Sequence, residues 1–177
     1  MTLSARVREQ VRRRANFACE FCGVTETNTG GELTVDHFQP ITKGGDNALE
    51  NLIYCCHRCN LYKLDYWASK PGEPSLWNPR KAPASQHFIE LDDGKLHPLT
   101  ATGAFSLKRL RLNRPPLVAF RLERQRQAEE IRLLTRYREA IQLLEQLDAQ
   151  ISAVTDEQRQ LLEEQREVLR LLLSRRP

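Results

Sequence analysis

Two Cys-x-x-Cys steps, Cys19-Glu-Phe-Cys22 and Cys56-His-Arg-Cys59, stand with 33 residues between them and constrain this chain more than any other feature. Four thiolates paired in this way can satisfy one tetrahedral zinc ion, and a segment this short needs such a tie because it has little core of its own. Closing the loop gathers what lies inside it: Asp36-His37, Gly44-Gly45 and Asn51-Leu52, with Asn60 directly after the last cysteine. Gly23 suits the tight backbone that brings two sulfurs onto one ion. Five cysteines with four in paired steps fit a metal site in a reducing compartment better than a disulfide framework.

Around this loop the pattern is mixed. Residues 4 to 15 predict a short helix capped by Ser4, with Val7, Val11 and Ala15 on one face. Glu32 to Phe38 alternates toward a strand that Pro40 and Gly44-Gly45 bring to an end. Neighbours on a regular strand point to opposite faces, so Asp36 and His37 can serve one phosphate only where the strand ends or distorts. Ile53 to Cys55 predicts a second short strand, and a helix beginning near Cys56 carries Asn60 and Lys63 on one face.

Prolines crowd residues 68 to 83 and predict a tether. Asp93-Gly94 predicts a hairpin, and Thr100 opens a short helix through Leu112 that Pro115-Pro116 cannot continue. From Leu117 to Ile151 the apolar spacing predicts a long amphipathic helix, including Ile131, Leu134, Ile141 and Leu144. Thr155-Asp-Glu-Gln158 resembles a capping box, which predicts a second helix reaching about Ser174 and folding back on the first. The expected fold class is therefore α+β, in three parts: 1–67, a zinc-stapled core with an N-terminal helix; 68–116, a tether and β-hairpin/helix extension; 117–177, an antiparallel helical hairpin. A bare pair of helices leaves apolar surface open, so it either folds back on the extension or meets a partner, the candidate being a homodimer through these C-terminal helices.

In their order and spacing, the cysteine steps, Asp36-His37, Gly44-Gly45, Asn51-Leu52 and Cys59-Asn60 resemble the HNH endonuclease family, the ββα-metal fold in its four-cysteine zinc-bound form. Cys55 offers a second pairing with Cys59, but the family's register and the spacing of the first step select Cys56; Cys55 is then a small buried side chain. The resemblance implies hydrolysis of DNA, duplex or branched, leaving a 3′-hydroxyl and a 5′-phosphate. His37 would be the general base, since a neutral imidazole can take a proton at physiological pH. Asp36 and Asn60 would hold a catalytic Mg²⁺, with Mn²⁺ able to replace it, because both offer hard oxygen. Asn51, the family's middle asparagine, would hold the loop around His37. Arg58, Lys63, Arg12 and Arg13 are candidate phosphate contacts. The alternative is a zinc-containing nucleic-acid-binding or assembly module without catalytic activity.

The net charge of +4 is unevenly spread: residues 66 to 120 carry 8 basic and 4 acidic side chains, whereas the segments before and after are balanced. Such a local excess fits a polyanionic partner. No apolar run approaches the ~20 residues that span a bilayer, and the first residues lack a leader's apolar stretch. No membrane association and a cytoplasmic location are expected.

Overall fold

The computed structural model describes residues 3–174, apart from the side chain of Leu172, and divides after Gln125 into two units. The first holds everything up to the opening turns of the last helix. Helix α1 (Ala5–Arg14) begins where expected: the Ser4 side chain accepts the Val7 N–H at 3.3 Å, and Arg12, Arg13 and Arg14 fill the last turn, where cations suit the helix dipole. A single-turn helix α2 (Glu26–Thr29), capped by Thr25, leads into β1 (Thr34–His37). β1 pairs antiparallel with β2 (Leu52–Cys55), with His37 opposite Leu52 and Asp36 opposite Ile53. Helix α3 (His57–Lys63) follows at once, its N-cap being Cys56. This is the ββα order that the motif implies.

Strand alternation sends the two faces of the hairpin into different company. Val35, with Leu52 and Tyr54 from β2, packs on Val11 of α1. Ile53 and Cys55 instead join the larger core around the cysteines. That core does not stop at the end of α3. Trp77, inside the proline-rich stretch, is buried edge-on to Phe21 of the first cysteine step at 6.3 Å and to Phe88 at 5.3 Å. Its backbone N–H donates to the buried Ser106 hydroxyl at 2.7 Å, and its indole N–H to the Ala82 carbonyl at 2.8 Å. Prolines deny this segment regular structure without denying it a place in the core.

The hairpin expected at Asp93-Gly94 is β3 (Phe88–Glu90) with β4 (Leu96–Pro98). Gly94 sits at φ +74°, and a Cβ there would meet Leu122 Cγ and the Val118 carbonyl at 2.8 Å. Only glycine fits. Helix α4 (Ala101–Arg109) has Thr100 as its cap, the side chain accepting the Gly103 N–H at 3.0 Å.

The C-terminal part corrects one expectation. In place of a helical hairpin there is one helix, α5 (Pro115–Ser174), 60 residues long. Pro115-Pro116 does not merely end what precedes it, since a proline with fixed φ and no N–H also starts a helix well. No glycine or proline interrupts residues 117 to 174. Thr155, taken from the sequence as a cap, donates its hydroxyl to the Ile151 carbonyl at 2.8 Å, one turn back within the same helix. A threonine satisfied in this way stops nothing.

Candidate functional site

The four cysteines converge. Cys19 and Cys22 come from the turn after α1, Cys56 caps α3 and Cys59 lies in its first turn; all are buried, and their sulfurs lie within 4.8 Å of one another. A tetrahedral ion with metal–sulfur bonds of about 2.3 Å requires sulfurs about 3.8 Å apart. Cys22 and Cys56 stand 3.8 Å apart, so the donor set fits a zinc-sized ion by both distance and chemistry. The four thiols hydrogen-bond to one another, which draws Cys22 and Cys56 below the ordinary thiol range and pushes Cys19 and Cys59 above it. Cys55 is fully buried and outside the cluster, and burial pushes its thiol up. Arg114 also meets this centre, although no local signal in the sequence ties it there. Its guanidinium lies 3.9 Å from Cys56 Sγ and 3.8 Å from Cys59 Sγ, positioned to offset the charge of a tetrathiolate site.

Beside the cluster, β1 ends against α3. Lys63, one turn beyond Asn60, is 1% exposed, and its ammonium lies 2.8 Å from Asp36 Oδ2 and donates to the His37 carbonyl at 2.7 Å. One buried cation thus joins the carboxylate and the strand end to the helix that carries Asn60. His37 shares a strand face with Val35, and Val35 and Asn60 line the same groove beside Arg8 and Arg12 of α1. The His37 ring reaches the other way along the loop: Nε2 lies 2.8 Å from Asn47 Oδ1.

Asn51 engages that loop through backbone groups. Its Oδ1 accepts the Gln39 N–H at 2.8 Å, and its Nδ2 donates to the Gln39 carbonyl at 3.0 Å and the Asp46 carbonyl at 2.8 Å. Gly45 packs so closely beneath that a Cβ would lie 2.0 Å from the Gln39 carbonyl oxygen. Asn47 is the loop residue that contacts the imidazole, and nothing in the sequence separates it from its polar neighbours.

The candidate phosphate contacts divide. Lys63 is buried and spent on Asp36, so it is not available to a polyanion. Arg12 is likewise committed: it makes a two-pronged pair with Glu26 at 2.6 and 2.7 Å and reaches Glu32 at 3.2 Å. The Arg12 guanidinium, followed by the Tyr54 hydroxyl, brings the Glu26 carboxyl down to about 2. In both cases burial and acidic neighbours decided what charge alone could not. Arg13 is 73% exposed and pairs with Glu9, and Arg58 is exposed in the first turn of α3. Arg58 lines a second groove with His57, Tyr62 and Arg114.

Among the described residues no helix is long and apolar enough to cross a membrane. A family model described as HNH endonuclease matches residues 19–65, from the first cysteine to just beyond Lys63. No curated protein and no solved structure matches the chain. Over residues 19–65 the chain is thus similar to the HNH endonuclease family, and its four cysteines are placed to hold a metal ion, as in the zinc-bound type.

Proposed function

We propose that the chain is a metal-dependent endonuclease that hydrolyses phosphodiester bonds in DNA, with zinc in the four-cysteine centre as a structural ion and Mg²⁺ at the cutting site. What supports the reading above all is the Lys63 contact, which fastens Asp36 and the backbone of His37 to the helix bearing Asn60. Residues far apart in the chain are thereby held on abutting elements beside the cysteine cluster.

His37 serves as the base. With Asn47 accepting from Nε2, the imidazole keeps its lone pair on Nδ1 and is held in one orientation, ready to take a proton from an attacking water. Asn51 and Gly45 keep the loop that carries Asn47 closed on the strand end. The Asp36 and Asn60 side-chain oxygens are hard donors suited to Mg²⁺; Lys63 takes Asp36 Oδ2 and leaves Oδ1 for the ion. When bound there, the ion supplies charge to the scissile phosphate and the departing oxygen. Arg13 and Arg58 are the exposed cations that can meet neighbouring phosphates.

Purified protein incubated with plasmid and Mg²⁺ tests this. Nicking is expected, and His37→Ala and Asn60→Ala should each lose it while keeping the fold; Asp36→Ala should lose it too, with a fall in stability because the Lys63 ammonium is left unpaired. Cutting that survives His37→Ala, or the absence of cutting on duplex and branched DNA alike, would reject the assignment and leave a nucleic-acid-binding or assembly module. Elemental analysis of the folded protein should return one zinc per chain, and Cys19→Ser or Cys56→Ser should unfold the core.

A further inference from the structure

From Arg126 to Ser174 every residue whose side chain is described is exposed, and these residues form a unit by themselves, a single helix. A lone helix with a wide apolar face owes most of its stability to a partner. The spacing of that face is specific. Leu133, Tyr137, Ala140, Leu144, Leu147 and Ile151 open a series of alternating four- and three-residue steps that runs unbroken to Val168, and only Gln158 and Gln165 within it are polar. A period of 3.5 is the seam of a left-handed coiled coil. The seam stands open: Tyr137 is 67% exposed, and Leu144 and Ile151 are each 63% exposed.

We propose that this seam binds a second copy of the chain as an antiparallel two-stranded coiled coil centred between Ile151 and Val154. The seam is complementary to itself when reversed. With Ile151 set against Val154 of the second copy, Leu144 meets Leu161 and Tyr137 meets Val168, so from Tyr137 to Val168 the series closes on itself in five pairs. Gln158 then faces Leu147, and Gln165 faces Ala140, whose small side chain leaves the longer amide room to reach water. No layer stacks amide on amide.

The flank sets the direction. On one side of the seam stand Leu134, Ile141, Leu162 and Leu169, with Asp148 and Thr155 between them at the centre. Reversed strands put Leu134 against Leu169 and Ile141 against Leu162, widening the apolar contact. Parallel strands would instead set Arg136 beside Ile141, Glu157 beside Leu162 and Glu164 beside Leu169. The size is also adequate. Eight apolar seam residues lie from Tyr137 to Val168. At roughly 60–120 Å² each they bury some 500–900 Å² per copy, against ~800 Å² per partner in a stable interface.

Light scattering on the full chain after size exclusion should give twice 20.5 kDa. Ile151→Asp, which places a carboxylate at the centre of the contact, should weaken association roughly a hundredfold and return the monomer mass. Ser152→Asp, one residue along and off the seam, should keep the dimer. A wild-type mass other than twice the monomer, or a dimer that survives Ile151→Asp, overturns the proposal. Benzoylphenylalanine in place of Tyr137 reads the direction: on irradiation it should capture the peptide around Val168 of the second copy. Capture of the peptide around position 137 itself would show parallel strands and overturn the arrangement.

Discussion

Replacing Lys63 by methionine probes the contact on which the proposed cutting site depends. Methionine keeps most of the stem's volume and removes the charge. The ammonium is 1% exposed and binds three oxygens: Asp36 Oδ2 at 2.8 Å, the His37 carbonyl at 2.7 Å and the Leu64 carbonyl at 3.3 Å. Removing one partner of a buried ion pair costs about 3–5 kcal/mol, chiefly because the other charge is left without compensation. The Asp36 side chain is 22% exposed, so water recovers part of that loss. The abandoned carbonyls add roughly 1 kcal/mol. A net destabilisation of about 3 kcal/mol follows, to be measured by urea unfolding of the zinc-loaded protein with an unchanged m-value. Asp36→Asn alone should also destabilise, since it leaves the buried ammonium facing a neutral amide. The double variant should cost clearly less than the two single changes together, because each single change strands a charge that the double change removes. A Lys63→Met loss under about 1 kcal/mol, with additive single and double effects, would refute the idea that this pair holds the strand end to α3.

Other consequences are as direct. Arg114→Met should speed the transfer of zinc to a chelator by roughly tenfold, with Arg114→Lys intermediate, because the guanidinium beside Cys56 and Cys59 no longer offsets the thiolate charge. The Glu26 carboxyl, lowered from 4.5 to about 2, contributes stability that is fully present above pH 4.5 and is lost as the pH falls through 2. Wild-type stability measured across that interval should therefore fall more steeply than that of Glu26→Gln. Gly94→Ala should destabilise by about 2 kcal/mol or more in thermal unfolding, since it adds a left-handed strain to a clash with Leu122 and the Val118 carbonyl.

What could be read from the chain was whatever chemistry announces within a few residues. Paired cysteines, the Ser4 cap and the Asp93-Gly94 turn are local signals, and the structure follows each. The roles of Lys63, Arg12 and Arg114 are set by neighbours 14 to 58 positions away, and a lysine on a short helix looks the same in sequence whether it meets solvent or Asp36. The C-terminal helix failed as a reading for a related reason. The pattern around Thr155 suits a helix start, but the same hydroxyl satisfies itself one turn back when nothing forces the chain to bend. Asn47 and Asn51 show the limit within one loop: both are asparagines, and only the fold decides which meets the imidazole and which the backbone.

The packing of Trp77 on Phe21 carries a lesson for dissection. The stretch that bears the family's signature ends near residue 65, yet the wall behind its first cysteine step is made by a tryptophan from beyond that limit, backed by Leu110, Leu112 and Leu117. Excising the signature by its own borders would strip that wall and open an oily hollow to water. The smallest piece able to stand alone is therefore set by who shelters Phe21, and it reaches into the first turns of the final helix.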